Sequence, residues 1–343
     1  MRAYDVAIVG AGFVGSALAT HLSRDYAVVT FDVKTAPPLL KEVDVEHRPC
    51  DVTRFDEVRE KLGKPKVVIH TAIIQIPAIN EFRERAFAVN VLGTQNVCRL
   101  VKGTPETAGL ILTGSWHVFG EREYGGVIDV AFGYRPDKVE ERAKLYVVSK
   151  MLQEGIVRFY DAMVGEKAFN ILRLGTVLGE HMPEKSAANI FVTNGLQGKS
   201  ITPYKHSMHR PMLYVAVEDV CQAFHSRVKK LVDGDAGTAA STRHVFNLFY
   251  PEPITIVELA ELIREAVILH TDGRTTPELK VVDKGLPVLF GPENKHSMRT
   301  DVSDLNSLLN VSKMASPKEA IFEIVKGRCE AAQIDPETRG SAC

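Results

Sequence analysis

In the run KLYVVSK, Tyr146 and Lys150 stand four residues apart within a stretch of helical periodicity. Four residues make just over one helical turn, so the phenol and the ammonium project from the same face. A phenol with its ordinary pKa near 10 is a poor base at neutral pH, and an adjacent ammonium favours the phenolate. Lowering it to ~7 takes roughly 4 kcal/mol, within reach of one close ammonium aided by a second positive charge. A chain with nine tyrosines also produces this spacing by chance, so an idle surface pair is the plainer reading. A third group changes the balance. The run GLILTGSWHVFG carries Thr113 and Ser115 at the end of an apolar strand. There a hydroxyl can bond the reacting oxygen of an alcohol while Tyr146 takes or gives its proton. His117, two residues on, is a further acid/base candidate on the substrate side, although its place beside Trp116 also fits a structural ring.

Those side chains need a second reactant held nearby. YDVAIV runs directly into GAGFVG, so that Gly10, Gly12 and Gly15 form G-x-G-x-x-G between a strand and a helix start. The glycines give a tight turn, close backbone approach to a pyrophosphate, and close packing of helix on strand, with helix amides facing the phosphates. Asp32 closes the second strand about 20 residues on, where a carboxylate accepts from both ribose hydroxyls and repels a 2′-phosphate. That favours NAD over NADP, with Lys34 the feature that argues against it, and the oxidised nicotinamide is the second positive charge. Asp51, in CDVT, either accepts from the adenine amine or caps the next helix.

The elements that must position these groups are visible as Val- and Ile-rich runs at 4–9, 26–31, 66–71, 109–114 and 169–174. Helical patterns at 17–24, 55–62 and 82–101 separate them. Near-continuous apolar strands alternating with helices predict an α/β fold, a Rossmann-type doubly wound parallel sheet covered on both faces. Residues 1–175 are expected to form the NAD-binding domain, its core also receiving segments near 211–250. Residues 176–335, with helices near 187–197, 217–232, 254–268 and 316–331, form a smaller C-terminal substrate-binding lobe, and 336–343 a disordered tail. A cleft between lobes is where ligands usually sit.

Composition narrows the partners. The 42 basic and 43 acidic residues leave a formal net charge of −1, too little to draw in nucleic acid or an anionic membrane. Five cysteines, Cys50, Cys98, Cys221, Cys329 and Cys343, are scattered and never form C-x-x-C, which points to neither a disulfide framework nor a zinc site. The histidines are not spaced as a metal-ligating set, so no metal is expected. With no export signal at its start and no apolar run long enough to span a bilayer, the chain reads as cytoplasmic, acting on a small-molecule substrate.

In chain order, GAGFVG, Asp32, CDVT, VVIHTA, NVLGTQNV, TGSWHVFG, YVVSK, ILRLGTVLG, LYVAVEDV and TDVSDL resemble the extended short-chain dehydrogenase/reductase family, in its NAD-dependent epimerase/dehydratase branch. That resemblance implies Ser115, Tyr146 and Lys150 as a catalytic triad, with Lys150 also holding the nicotinamide ribose. It implies a cofactor site of Gly10, Gly12, Phe13, Val14, Gly15, Asp32, Asp51, Val52, Ala72 and Asn90, completed by Tyr146 and Lys150. The implied chemistry oxidises a secondary alcohol, Tyr146 removing the hydroxyl proton as hydride passes to NAD. Dehydratases of the branch carry Thr-Asp-Glu where this chain has Ser115, Trp116 and His117, so a 4,6-dehydratase is not expected. A 4-epimerase of a nucleotide sugar is, with Ser115, His117, Thr176 and Arg210 on the substrate and Arg210 on its diphosphate. The alternative for Arg210 is a surface arginine before a strand.

Three departures favour a smaller or more apolar alcohol, as in hydroxysteroid dehydrogenase-like enzymes. Thr176 replaces an asparagine, the loop after HTA is the apolar IIQIPAI, and no second arginine is in register among Lys295, His296 and Arg299. The resemblance also implies a homodimer through helices containing 90–101 and 146–160.

Overall fold

The computed structural model describes residues 4–234, 244–303, 305 and 309–334; the expected tail and Cys343 lie outside them. Seven strands form the main sheet: β1 (Val6–Val9), β2 (Val28–Asp32), β3 (Glu46–Pro49), β4 (Val67–His70), β5 (Gly109–Ser115), β6 (Ala168–Leu174) and β7 (Val245–Leu248). Their order is β7-β6-β5-β4-β1-β2-β3, and every pairing is parallel. β1, β4, β5, β6 and β7 are buried along their whole length, which is why their sequences run apolar rather than alternating. β3, with sequence EHRP, is the polar exception. It lies at the sheet edge, where Pro49 costs no ladder bond.

The chain builds outward from β1 to β3, then returns to place β4 on the other side of β1. That reversal opens a crevice at the carboxyl ends of β1 and β4, the usual ligand position in such sheets. Apolar layers cover both faces, one around Leu18, Leu22, Val220 and Phe224, the other around Val58, Val97, Val101 and Val157.

A third core packs Trp116, Phe119, Met212, Phe249, Leu259, Ile263 and Ile321. It is built by the helices Ala187–Leu196, Ile256–His270 and Pro317–Ile334 and by short strand pairs, Thr176–Leu178 with Tyr214–Ala216 and Pro211–Met212 with Ile254–Thr255. Phe13, the first residue of the helix after β1, packs against both this core and the sheet core. No described helix is long and apolar enough to cross a membrane.

The helix expected over 82–101 is divided into Arg83–Phe87, a π turn Ala88–Leu92 and Gly93–Gly103, with a short helix Ala78–Glu81 ahead of it. Wide turns of this kind re-aim a residue within a helix. Here Asn90 lies fully buried, where its amide accepts from Ile74 N at 2.7 Å and donates to Ile74 O at 3.1 Å. Gly93 then passes so close to Val52 that a Cβ would lie 2.7 Å from Val52 Cγ2.

Candidate active site

The glycine turn is built for close approach. Gly10 has φ +104°, and a Cβ there would meet Ala72 N at 2.5 Å; at Gly15 it would lie 1.9 Å from Gly10 O. At Gly12, by contrast, no atom lies within 4 Å of that position, so the turn presents open backbone to the crevice. The helix Phe13–Leu22 begins there with no side-chain cap and no acidic residue in its first turn, leaving its amides for an anion. Asp32 ends β2 with one oxygen accepting from Ala11 N at 2.9 Å and the other from Lys34 N at 3.0 Å. The carboxylate is thereby fixed beside the turn. These features fit a dinucleotide: two positions where a side chain is impossible, one open, and a carboxylate at the ribose end.

The neighbouring residues are placed as follows. Asp51 does not cap a helix, since the helix Phe55–Leu62 has Arg54 at its N-cap. Its carboxylate instead closes a local turn on Thr53 N and Oγ1, at 3.0 and 2.8 Å. Val52 is buried, and its carbonyl accepts from Asn96 Nδ2. Ala72 follows β4 and abuts Gly10. Asn90 is committed to Ile74 and, through its amide nitrogen, to Ser149 Oγ at 3.2 Å.

Across the crevice, Ser115 ends β5, its hydroxyl near enough to the Tyr146 phenol to ease its ionisation. The helix Lys144–Val164 carries both Tyr146 and Lys150, and Lys150 Nζ donates to Thr113 O at 2.7 Å. Sequence spacing and structure thus bring Ser115, Tyr146 and Lys150 into one cluster at the carboxyl edge of the sheet. Burial pushes the Tyr146 phenol up, with the Ser115 hydroxyl opposing it. Burial pulls the Lys150 ammonium down to about 7, partly offset by Glu154. In the chain itself, therefore, the group that eases Tyr146 towards phenolate is Ser115.

The helix is held by a buried ion pair that the sequence motifs did not reveal as a pair. Arg173 on β6 and Glu154 are both fully buried and bonded in two places, Nε to Oε2 at 3.1 Å and Nη2 to Oε1 at 2.5 Å. Arg158 adds a bond to the same carboxylate at 2.9 Å, and Arg173 lies over the Phe119 ring. Burial would raise the Glu154 carboxyl, yet the two guanidiniums outweigh it and hold it low. A charged pair this deep fixes the register of the helix that carries Tyr146 and Lys150 against the strand next to β5.

The substrate side holds the groups hardest to foresee. His117 packs against Trp116 at a 37° tilt and meets Tyr146 edge-on at 5.9 Å between centroids, with Nδ1 3.3 Å from Ser115 Oγ. Trp116 Nε1 donates to Thr176 Oγ1 at 3.3 Å, so the Thr176 hydroxyl is engaged from within the protein. Arg210 is no surface arginine: it is buried, with Nη1 3.0 Å from Glu140 Oε1 and 3.8 Å from Glu121 Oε1. Glu121 and Glu140 were missed in sequence. The only available signal was two acids flanking the site, in FGERE and KVEER, with nothing to aim them at Arg210. Further out, Lys295 pairs with Glu258 at 2.6 Å.

A doubly wound parallel sheet with a glycine turn at its switch point, facing a Ser-Tyr-Lys cluster at the same edge, defines an NAD-binding protein of the extended short-chain dehydrogenase/reductase type. Residues 6–246 match the model of the NAD dependent epimerase/dehydratase family, and the chain belongs to that family, with NAD as its cofactor. It is 25% identical to UDP-glucuronic acid decarboxylase 1 of Danio rerio over 277 residues, 78% of this chain and 62% of that protein. Over a shorter stretch of 95 residues it is 39% identical to 3 beta-hydroxysteroid dehydrogenase/Delta 5-->4-isomerase of Mycobacterium tuberculosis (strain CDC 1551 / Oshkosh), 26% of this chain and 25% of that one. Its fold is shared by Thermus thermophilus UDP-glucose 4-epimerase in complex with NAD, at TM-score 0.73 and 21% identity, covering 94% of this chain and 99% of that one.

Proposed function

We propose that the chain is an epimerase-type oxidoreductase acting on a secondary alcohol of a nucleotide sugar, through a transient keto intermediate. The observation that carries this is the meeting of Ser115 at the end of β5 with Tyr146 and Lys150 one turn apart on the helix Lys144–Val164, Lys150 anchored to Thr113 O at 2.7 Å, opposite a glycine turn that fits a dinucleotide. Tyr146 takes the hydroxyl proton, Ser115 orients the reacting oxygen, and Lys150 bridges from Thr113 O towards the ribose. NAD supplies the hydride acceptor. Glu140 and Glu121 hold Arg210 ready at the substrate side, from which a diphosphate could draw one of its donor edges. The smaller lobe, built by the helices Ala187–Leu196, Ile256–His270 and Pro317–Ile334, would hold the sugar nucleotide.

A second reading, an NAD-dependent dehydrogenase of a smaller or more apolar hydroxy substrate, is favoured by one observation. Arg210 already faces two carboxylates, and Thr176 already serves Trp116, which leaves few donors for a sugar diphosphate. We further propose a homodimer, supported by the exposed apolar stripe Leu145, Val148, Leu152, Phe159 and Met163 on one helix and by Phe82, Phe87 and Leu92 beside it.

Purified protein incubated with NAD and, in separate reactions, UDP-glucose, UDP-glucuronic acid and a hydroxysteroid, with products resolved by chromatography and NADH followed by absorbance, separates the readings. Epimer formation without net NADH, lost by about 10²–10⁴-fold in Tyr146→Phe, is the expected result. NADH accumulation on a hydroxysteroid, with neither sugar changed, would replace it with the second reading.

A further inference from the structure

A line of buried and half-buried polar groups runs from Ser115, beside Tyr146, into the protein. His117 Nδ1 is 3.3 Å from Ser115 Oγ, and on its other side Nε2 is 3.6 Å from Glu121 Oε1. Glu121 Oε1 is buried and accepts no hydrogen bond, while Oε2 accepts from Glu140 N at 3.2 Å. Beyond it stand Arg210, 3.8 Å away, then Glu140, then Arg142, whose side chain is 54% exposed. The charged and titratable groups facing His117 are therefore Tyr146, Glu121, Arg210 and Arg142, with Glu140 behind them and His206 next to Glu140. A carboxylate oxygen that accepts no bond and lies next to an imidazole nitrogen is a vacant proton position.

We propose that His117 and Glu121 form a one-proton relay that turns the Tyr146 phenol into a base, reached through the Ser115 hydroxyl. This rests on Tyr146 being the proton carrier of the reaction. The Tyr146 O–H bond breaks as its proton bonds to Ser115 Oγ, the Ser115 proton bonds to His117 Nδ1, and the proton on His117 Nε2 bonds to Glu121 Oε1. One proton moves from Tyr146 to Glu121, and no electrons are transferred. His117 is neutral before and after, having only exchanged its N–H from Nε2 to Nδ1. The phenolate then takes the substrate's hydroxyl proton.

The electrostatics agree with a neutral ring and a protonatable acid. Burial pulls His117 down to about 3, with Arg210 and Arg142 adding to it, so an imidazolium is disfavoured. Burial pushes Glu121 up, Glu140 reinforcing and Arg210 opposing, so the carboxylate is ready to accept. The 3.6 Å gap between ring and carboxylate is slightly beyond a direct hydrogen bond, and a small ring rotation closes it. Lys150, donating to a backbone carbonyl, need not be the sole source of the phenolate.

The tautomer of His117 tests this without any substrate. In NAD-bound protein labelled with ¹⁵N-histidine, long-range ¹H–¹⁵N spectra at pH 7 should show His117 neutral with its proton on Nε2. The Nδ1 resonance, identified by its absence in His117→Gln and by its shift in Ser115→Ala, should report the lost Ser115 bond in the latter. An imidazolium, or a proton resident on Nδ1, overturns the relay. With whichever of UDP-glucose and UDP-glucuronic acid is turned over, His117→Gln and Glu121→Gln should each lower kcat at least tenfold with KM within threefold and remove the acid limb of the kcat profile. The double variant should lose no more than either single one, because one line is cut twice. Losses that multiply, or an acid limb that persists, overturn it. If neither sugar reacts, the substrate reading fails by itself, and the tautomer still decides the relay on the wild-type chain.

Discussion

The two walls of the crevice are made differently. The cofactor wall is backbone: a glycine turn with a φ of +104° at Gly10, free amides at a helix start, and one carboxylate fixed by two main-chain bonds. The opposite wall is side chains, a buried set of Glu121, Glu140, Glu154, Arg173 and Arg210, with the half-buried His117 beside it, in which every charge depends on a partner from another part of the chain. Backbone sites depend on steric rules and tolerate little change in residue type. Side-chain networks depend on mutual pairing, so they are where a single substitution unbalances the fold.

The sharpest way to break that comparison is to remove one buried partner. Arg173→Met leaves the Glu154 carboxylate buried with only Arg158, itself partly exposed, to meet it. Breaking a buried pair by deleting one member typically costs roughly 3–5 kcal/mol. Denaturant unfolding of the variant should show a loss of that size, together with reduced turnover, as the Lys144–Val164 helix loses its anchor to β6. A loss below about 1 kcal/mol would mean that the two walls do not differ in this way.

The same asymmetry explains what could be read from the sequence. The placement of Gly10, Gly12, Gly15 and Asp32 was legible because it follows from local conformation and spacing along one strand-turn-helix unit. Ser115, Tyr146 and Lys150 were legible because a strand end and a helical repeat predict where they point. The parallel sheet followed from the continuous apolar runs, whereas β3 left almost no apolar signal because it is an edge strand. The division of the helix over 82–101 was hidden, since a π turn costs one extra residue and no change in hydrophobic pattern. Arg210 was legible as an arginine near the site but not as one paired with Glu121 and Glu140. Those pairings span roughly 90 and 70 residues of chain, and no spacing rule connects them.

At the seam between the walls, His70 closes β4, fully buried, with Nε2 2.9 Å from Thr94 Oγ1 and Nδ1 without a partner. Burial pulls it down to about 3, and Lys150 nearby adds to that. The unfolded chain takes up a proton below the ordinary value of 6.5, while the folded one does not until about 3, so this ring removes stability as pH falls across that window. At pH 5 the difference is about 2 kcal/mol. His70→Gln, which can still meet Thr94, should therefore flatten the fall in unfolding free energy between pH 7 and 5 by about that amount. An acid limb identical to wild type would place the sensitivity in the side-chain wall alone.

The smallest expected effect probes the backbone wall itself. Asp32 accepts main-chain bonds from Ala11 and Lys34, and in the proposed cofactor site it would also present negative charge where the ribose 2′ position is read. Asp32→Asn keeps one acceptor oxygen and removes the charge, so the turn should persist while discrimination relaxes. Measured as the ratio of dissociation constants for NAD and NADP by calorimetry, the preference should fall by roughly tenfold, about 1.4 kcal/mol, with little change in Tm. Lys34, exposed two residues further on, is then free to attract the 2′-phosphate that Asp32 repels. A ratio that stays constant while Tm drops would make Asp32 a structural acceptor only, and the selectivity for NAD would have to come from elsewhere in the turn.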